Sequence, residues 1–473
     1  MNVIDEIRAR ARERPSAPAL IADAAVGPRH ISYAALVERM DSGAARLTAA
    51  GVRPADRCGL LAAQGPSFVE EALSILAAGA CLVPIPPDST SVTLERFAEQ
   101  AALHHLVCEV GDSMRCETRR DVPAVDGAAD AAFRALGPAY LRFTSGTTFA
   151  RKGVILSHAR IVERLAAANQ GLGIGPGDRI LWLLPMAHHF VVSILLYLRF
   201  GATLLIPASS LARPVLELAA RERATVFYAS PFHHHLLSKD ASGIALPDVR
   251  LAISTAEGVR PEVAARFRER FGIALAQALG IIEVGLPVLN LAEAETKPTA
   301  LGRPLPAYQV WLRGDDGRRI AGPGGPGRTG EIVIQGPGLF DAYLSPWTPA
   351  ARLVEPDGFA TGDQGWFDAD GTLFLCGRRK NRINMAGMKF FAEEVEDVLL
   401  RHPAVRECRV FARQHPQLGE IPVAEIVAVD ASREPRRAEL LARCRAELPA
   451  YKIPRELRFV TALERTVTGK VKR

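Results

Sequence analysis

The order of predicted elements gives an α/β fold class: a large N-terminal domain with α/β sheets plus a small β-barrel-like subdomain, followed by a small mobile α+β C-terminal domain. Three observations predict it. Short apolar runs alternate with longer helical patterns through the first two-thirds of the chain, the pattern of largely parallel sheets. Beyond about residue 300 the texture changes to Gly/Pro turns and short strands. From about residue 380 a self-contained pattern of helix, two strands and helix begins. A chain of 473 residues accommodates this division, and the boundaries read as 1–379 for the N-terminal domain and 380–473 for the C-terminal one.

Each element has its own justification. RCGLLAA (57–63), ACLVPIP (80–86), HHLVCEV (104–110), ATLLIP (202–207) and ATVFYAS (224–230) are short apolar runs of strand length. PSFVEEALSILAAG and PEVAARFRERFG carry helical spacing between them, and VILSHARIVERLAAAN reads as a helix after the strand ending LRF. The apolar run 190–210 is broken by Arg199 and Gly201, so it reads as a buried helix ending at Gly201 and then a buried strand, not a membrane span. GEIVIQGPG and the two halves of GWFDADGTLFLCGR read as strands, the latter joined at Asp370-Gly371. AEEVEDVLLRHP sets Val395, Val398 and Leu399 on one face and stops at Pro403; VRECRVFAR, AEIVAVD and the helix REPRRAELLARCRAEL complete the small domain. GRRKNR (377–382) is the polar joint, and GPGGPGRTG (322–330) reads as a plain loop.

Composition excludes several function classes. Hydrophobic residues make up 48% and charged residues 23%, which suits a protein with a large core. A net charge of +6 without any long Lys/Arg block argues against nucleic acid and fits acidic small molecules or an acidic protein partner. Seven cysteines lie scattered without a CxxC pair, which points to free thiols in a reducing, cytoplasmic setting. The charged N-terminal stretch does not read as a signal peptide.

Chemistry concentrates in TSGTTFARKG (144–153). A polar glycine loop between a strand and a helix suits anion binding, because free N–H groups and hydroxyls converge there. Lys152 precedes Gly153, so the loop is not a Walker A loop, and a solvated turn stands beside the phosphate reading. Glu283 is alone in an apolar run, and an unpaired buried carboxylate is costly, which already suggests function. By themselves Asp363 reads as a turn residue, Lys380 as a solvated charge and Lys470 as part of a frayed end. His233, His234 and His235 follow one another on a helix and point about 100° apart, a poor arrangement for one metal ion.

Together the motifs resemble the adenylate-forming superfamily of acyl-CoA synthetases, peptide-synthetase adenylation domains and luciferases, in its acid–CoA ligase version. TSGTTFARKG resembles its phosphate loop, LPMAHHF its Pro-x-x-His element, and LGIIE its Tyr-Gly-x-Thr-Glu. GEIVIQGPGLFDAYL, ATGDQGWFDADG, GRRKNRINMAGMKFFAEEVE and the C-terminal LPAYKIP and ERTVTGKVKR continue in the family's order, from residue 31 to 473.

The resemblance implies a two-step ligase. A carboxylic acid would be activated with ATP and Mg²⁺ to an acyl-AMP, then passed to coenzyme A or to the phosphopantetheine of an acyl carrier protein. By resemblance, Thr144, Ser145, Gly146, Thr147, Thr148 and Lys152 hold the phosphates, with Gly280 also at the nucleotide. Glu283 binds Mg²⁺, Asp363 and Arg378 take the ribose, and Lys470 reaches between carboxylate and α-phosphate. Lys380 falls at the hinge and Gly387 along the acceptor channel. His188, Tyr228, Phe232, Ala256 and Ile281 line the acid pocket, which has no Asp to hold an α-amino group and so favours an aromatic or modest aliphatic acid.

Several positions depart from the family pattern. Phe149 and Arg151 replace the loop's Gly and Pro, Ile282 replaces a Thr, and Leu279 an aromatic residue. Asn381 stands where an acid is common and Glu464 where Pro is expected. Losing the Thr hydroxyl removes one charge-assisted hydrogen bond, worth roughly 1.5 to 3 kcal/mol. The departures motivate a second alternative, an inactive nucleotide-binding homologue with a regulatory role, but the ionic residues are all retained.

Overall fold

The computed structural model describes residues 2–23, 28–110, 113–119, 127–143, 152–386, 388–430, 432–465 and 471. Contacts divide them into one unit drawn from 1–144, 150–309 and 334–359, and another drawn from 310–333 and 360–473.

Within the first unit, consecutive buried residues mark strands covered on both faces, as parallel sheets require. One sheet runs in the order Arg303–Pro304, Gly285–Leu289, Leu275–Ile281, Leu251–Ser254, Val226–Ala229, Arg179–Trp182, Thr203–Ile206, Pro18–Ala22, Arg29–Ser32. From Leu275–Ile281 through Pro18–Ala22 every neighbouring pair is parallel. Leu181, Leu205, Phe227, Ala252 and Leu275 on these strands bury against Val215, Leu216, Val263 and Phe267 of two flanking helices. A second sheet sets Gly153–Ser157, Pro138–Phe143, Cys81–Pro84, Arg57–Leu61 and His105–Val110 side by side.

The stretch VILSHARIVERLAAAN corrects the expectation of one helix. Gly153–Ser157 is a strand, antiparallel to Pro138–Phe143 and to Ala342–Tyr343, and the helix begins only at His158. Val154, Ile155 and Leu156 are all fully buried; a helix end would leave part of that run in water, whereas a central strand covers both faces. Ser157 then caps the helix, its Oγ accepting from the Arg160 amide at 3.3 Å.

The apolar run 190–210 folds as expected. A helix over Met186–His189 passes through a π-helical turn, Phe190–Ile194, into Leu195–Arg199, and Gly201 at φ +78° turns the chain into the strand Thr203–Ile206. Among the described residues no helix is long and apolar enough to cross a membrane.

Two sheets carry most of the strands of the second unit. Gln309–Arg313, Gly330–Gln335, Phe359–Phe367 and Leu373–Arg378 form one, and its last two strands close the expected hairpin with Gly371 at φ +78°. The other pairs Met388–Phe391, Arg382–Met385, Gly419–Ala428 and Val405–His415, with Glu456–Phe459 parallel to Gly419–Ala428. Val395, Val398 and Leu399 of the helix Ala392–Leu400 pack on this sheet with Leu440 and Cys444 of Arg437–Glu447.

Candidate active site

In open α/β sheets, ligands bind beyond the carboxyl ends of the parallel strands. That edge of the first unit collects six of the eleven sequence-predicted site residues that are described. His188 follows the strand Arg179–Trp182, Tyr228 lies on Val226–Ala229, Ala256 follows Leu251–Ser254, and Gly280, Ile281 and Glu283 close Leu275–Ile281. Ala256 is exposed in the left-handed region at φ +77°, a conformation L side chains adopt at a cost. Tyr228 is buried, stacked on Trp182 with ring centroids 5.4 Å apart. Burial pushes its phenol up, so it stays protonated. Phe232, at 63% exposure, instead points to solvent from the helix Pro231–Lys239.

The three consecutive histidines diverge. His233 Nδ1 meets Ser230 Oγ at 2.8 Å, while His234 Nε2 donates to the Ile253 carbonyl at 3.0 Å. Burial depresses His234 to about 4, so it is a neutral core residue. Among the described residues, no group of three or more His, Cys, Asp or Glu could hold a metal alone.

Glu283 lies at the centre of a hydrogen-bonded cluster. It is 9% exposed, and its Oε1 accepts from the Tyr343 hydroxyl at 3.1 Å. Its peptide oxygen accepts from Phe340 N at 2.8 Å. Arg164, 1% exposed, donates from Nη1 to the Ile282 carbonyl at 2.9 Å and from Nε to Gly338 at 2.9 Å. Burial lowers Arg164 to about 10, with Tyr308, Asp341 and Glu283 pulling against that shift. The segment 338–344 therefore stitches Glu283 to the strand Gly153–Ser157, because Leu344 N also donates to the Gly153 carbonyl and Asp341 N to that of Ile155. On the other side of Tyr343, Lys152 Nζ lies 4.6 Å from the ring centroid. Arg142, two residues before Thr144, donates to the His188 carbonyl and feels the charge of Glu283.

Sequence reading missed Tyr343, Arg164 and Arg142. Arg164 carried a signal: it falls four residues before Ala168 on the helix's buried face, where a charge needs partners. Tyr343 lay inside the quoted stretch GEIVIQGPGLFDAYL but was given no role there.

In the second unit Asp363 and Arg378 face each other across neighbouring strands, with Arg378 Nε 2.9 Å from Asp363 Oδ1. The carboxylate is buried and the guanidinium mostly exposed. Thr361 Oγ1 accepts from Asp363 N at 3.1 Å, and Glu331 accepts from Gly362 N at 3.2 Å, which fixes the Thr-Gly-Asp turn. Lys380 is exposed in the single turn Arg379–Asn381, where Asn381 donates to Glu393 at 2.7 Å. Thr144, Ser145, Gly146, Thr147, Thr148, Phe149, Arg151, Gly387 and Lys470 lie outside the described residues.

Two family models match in tandem: that of the AMP-binding enzyme over residues 7–344 and that of the AMP-binding enzyme C-terminal domain over residues 394–470. The chain belongs to the AMP-binding enzyme family. Within the adenylate-forming AMP-binding enzymes it is of the acid–CoA ligase type. It is 33% identical over 341 residues to a sulfoacetate–CoA ligase of Cupriavidus necator, an alignment covering 71% of this chain and 66% of that ligase. To a feruloyl-CoA synthase of an Amycolatopsis species it is 28% identical over 480 residues, covering 98% of this chain and 96% of the relative. The structure of the O-succinylbenzoate coenzyme A synthetase of Bacillus subtilis in complex with AMP superposes with a TM-score of 0.85 at 23% identity, covering 99% of this chain and 97% of that one. The large α/β N-terminal domain with several sheets and the small α+β C-terminal domain are thus those of the AMP-binding enzyme fold.

Proposed function

We propose that this AMP-binding enzyme activates a carboxylic acid with ATP and transfers the acyl group to coenzyme A. One observation carries the reading: Glu283 and Lys152, ionic groups of opposite sign, converge on Tyr343 beyond the carboxyl ends of the parallel strands. A carboxylate oxygen attacks the α-phosphorus of ATP, and the bond to pyrophosphate breaks. Both reactants are anions, so fixed cations and donors aimed at the developing charge lower the barrier. Lys152 and the hydroxyls of Thr144 to Thr148 take the β- and γ-phosphates in this reading. Mg²⁺ prefers carboxylate and phosphate oxygens, so a single carboxylate, Glu283, fits an ion that enters with the nucleotide. Asp363 accepts from the ribose hydroxyls, with Arg378 beside it. Lys470 bridges the acid and the α-phosphate. The chain then turns at Lys380, and the acceptor sulfur, passing Gly387, attacks the acyl carbonyl and displaces AMP.

His188, Tyr228, Ala256 and Ile281, with Phe232 turned to solvent and left out of the pocket, suit an aromatic or modest aliphatic acid. The relatives named for sulfoacetate and feruloyl groups support that size range. Seven cysteines that form no disulfide support a reducing, cytoplasmic setting. Pyrophosphate exchange with a panel of acids tests the reading, and no exchange with any of them would remove it. Supplying coenzyme A or a holo carrier protein then identifies the acceptor; the net charge of +6 favours an acidic carrier as the second reading.

A further inference from the structure

We propose that Tyr343 is a positioning residue that sets the spacing between Lys152 and Glu283 and thereby couples metal and phosphate binding; this rests on the ATP-dependent reading above. Three contacts argue for it. Backbone pairing of Ala342–Tyr343 with Gly153–Ser157 places Tyr343 opposite Val154, two residues beyond Lys152. The ring face then receives the Lys152 ammonium at 4.6 Å, while the hydroxyl at the other end donates to Glu283 Oε1 at 3.1 Å. One rigid side chain therefore spans a cation and a carboxylate without letting them pair directly.

The chemistry of the ring suits that task. Had Lys152 and Glu283 met as an ion pair, each would have to be pulled from the other before nucleotide and metal could bind. The phenol instead orients the carboxylate through its hydroxyl, which donates to Oε1. The ring holds the ammonium by its quadrupole, an attraction weak enough to yield to phosphate. Packing alone accounts for neither end: Phe340, with its centroid 4.8 Å from that of Tyr343, fills the apolar side.

Calorimetric titration of ATP into the full chain, in EDTA and in excess Mg²⁺, tests the proposal without any acid substrate. Tyr343→Phe keeps the ring, so affinity in EDTA should stay within about twofold of wild type. Its Mg²⁺-dependent gain should fall by about tenfold or more, the usual loss when a ligand's orienting partner is removed. Tyr343→Leu should lose affinity in EDTA as well, to the level of Lys152→Gln. Tyr343→Phe and Glu283→Gln should be non-additive in the Mg²⁺-dependent gain. A Tyr343→Phe protein that melts like wild type and keeps its full gain would overturn the proposal, and so would additivity with Glu283→Gln. Should the wild type bind ATP with a Mg²⁺-dependent gain yet exchange with no acid, the ligase reading fails while this one stands. A wild type with no such gain overturns this one.

Discussion

At the scale of single residues, the site depends on how buried charges are satisfied. Glu283 is the carboxylate that the proposed chemistry needs, and Glu283→Gln preserves its shape while removing its charge. We expect pyrophosphate exchange at least about tenfold slower, with the melting temperature held near wild type. Arg164 is different, because its guanidinium answers the carbonyls of Ile282 and Gly338 in the interior. Arg164→Met should cost on the order of 3 kcal/mol in urea unfolding, since those buried acceptors lose their donors. His105 and Asp56 give a pH signature away from the site. Burial disfavours charge on both, but their mutual hydrogen bond and neighbouring donors prevail, bringing Asp56 to about 2 and His105 to about 9. Asp56 therefore stabilises the fold above its unfolded value of 3.8, and that contribution is lost as pH falls through about 2. His105 contributes fully below 6.5 and loses its contribution as pH rises through about 9. Neighbouring His104, depressed to about 4 by burial and then by Arg57, works the other way and costs stability as pH falls below 6.5. The stability gap between wild type and His105→Asn, followed by urea denaturation, should thus narrow between about pH 6.5 and 9.

At the scale of elements, the segment 338–344 organises the site more than any strand alone. Gly338, at φ +70°, brings its backbone against Arg164, and a Cβ there would lie 2.6 Å from the Arg164 Cβ. Gly338→Ala should destabilise the protein by about 2 to 4 kcal/mol and slow exchange together, because the Glu283 peptide shares the seam. This seam also shows what sequence could carry. Strands with consecutive buried apolar residues were legible, because burial on both faces leaves that run in the sequence. Val154-Ile155-Leu156 was not, because the same run continues without a break into a helix, and Ser157 looks ordinary until it caps. Asp363 and Arg378 were legible only through motif resemblance. Their pairing depends on cross-strand register, which the hairpin turn suggests but residue types do not state.

At the scale of the whole molecule, the proposed ligase reaction falls into two steps that need different groups beside the same acyl-AMP. Lys470→Ala should abolish exchange yet spare thioester formation from a preformed acyl-AMP, as followed by coenzyme A consumption. Exchange surviving that change would remove the role given to Lys470. The division into a large and a small domain was readable because each carries its own apolar periodicity, and the tandem family matches agree with it. Tyr343 was not, since its meaning lies in a pairing between residues some 190 positions apart. Trp182 adds an optical consequence of the architecture. Of the chain's four tryptophans, it alone ends a parallel strand at this edge, stacked on Tyr228 and edge-on to His189. Its indole emission should therefore respond as acids occupy the pocket, providing a label-free titration signal with Trp182→Phe as its blank.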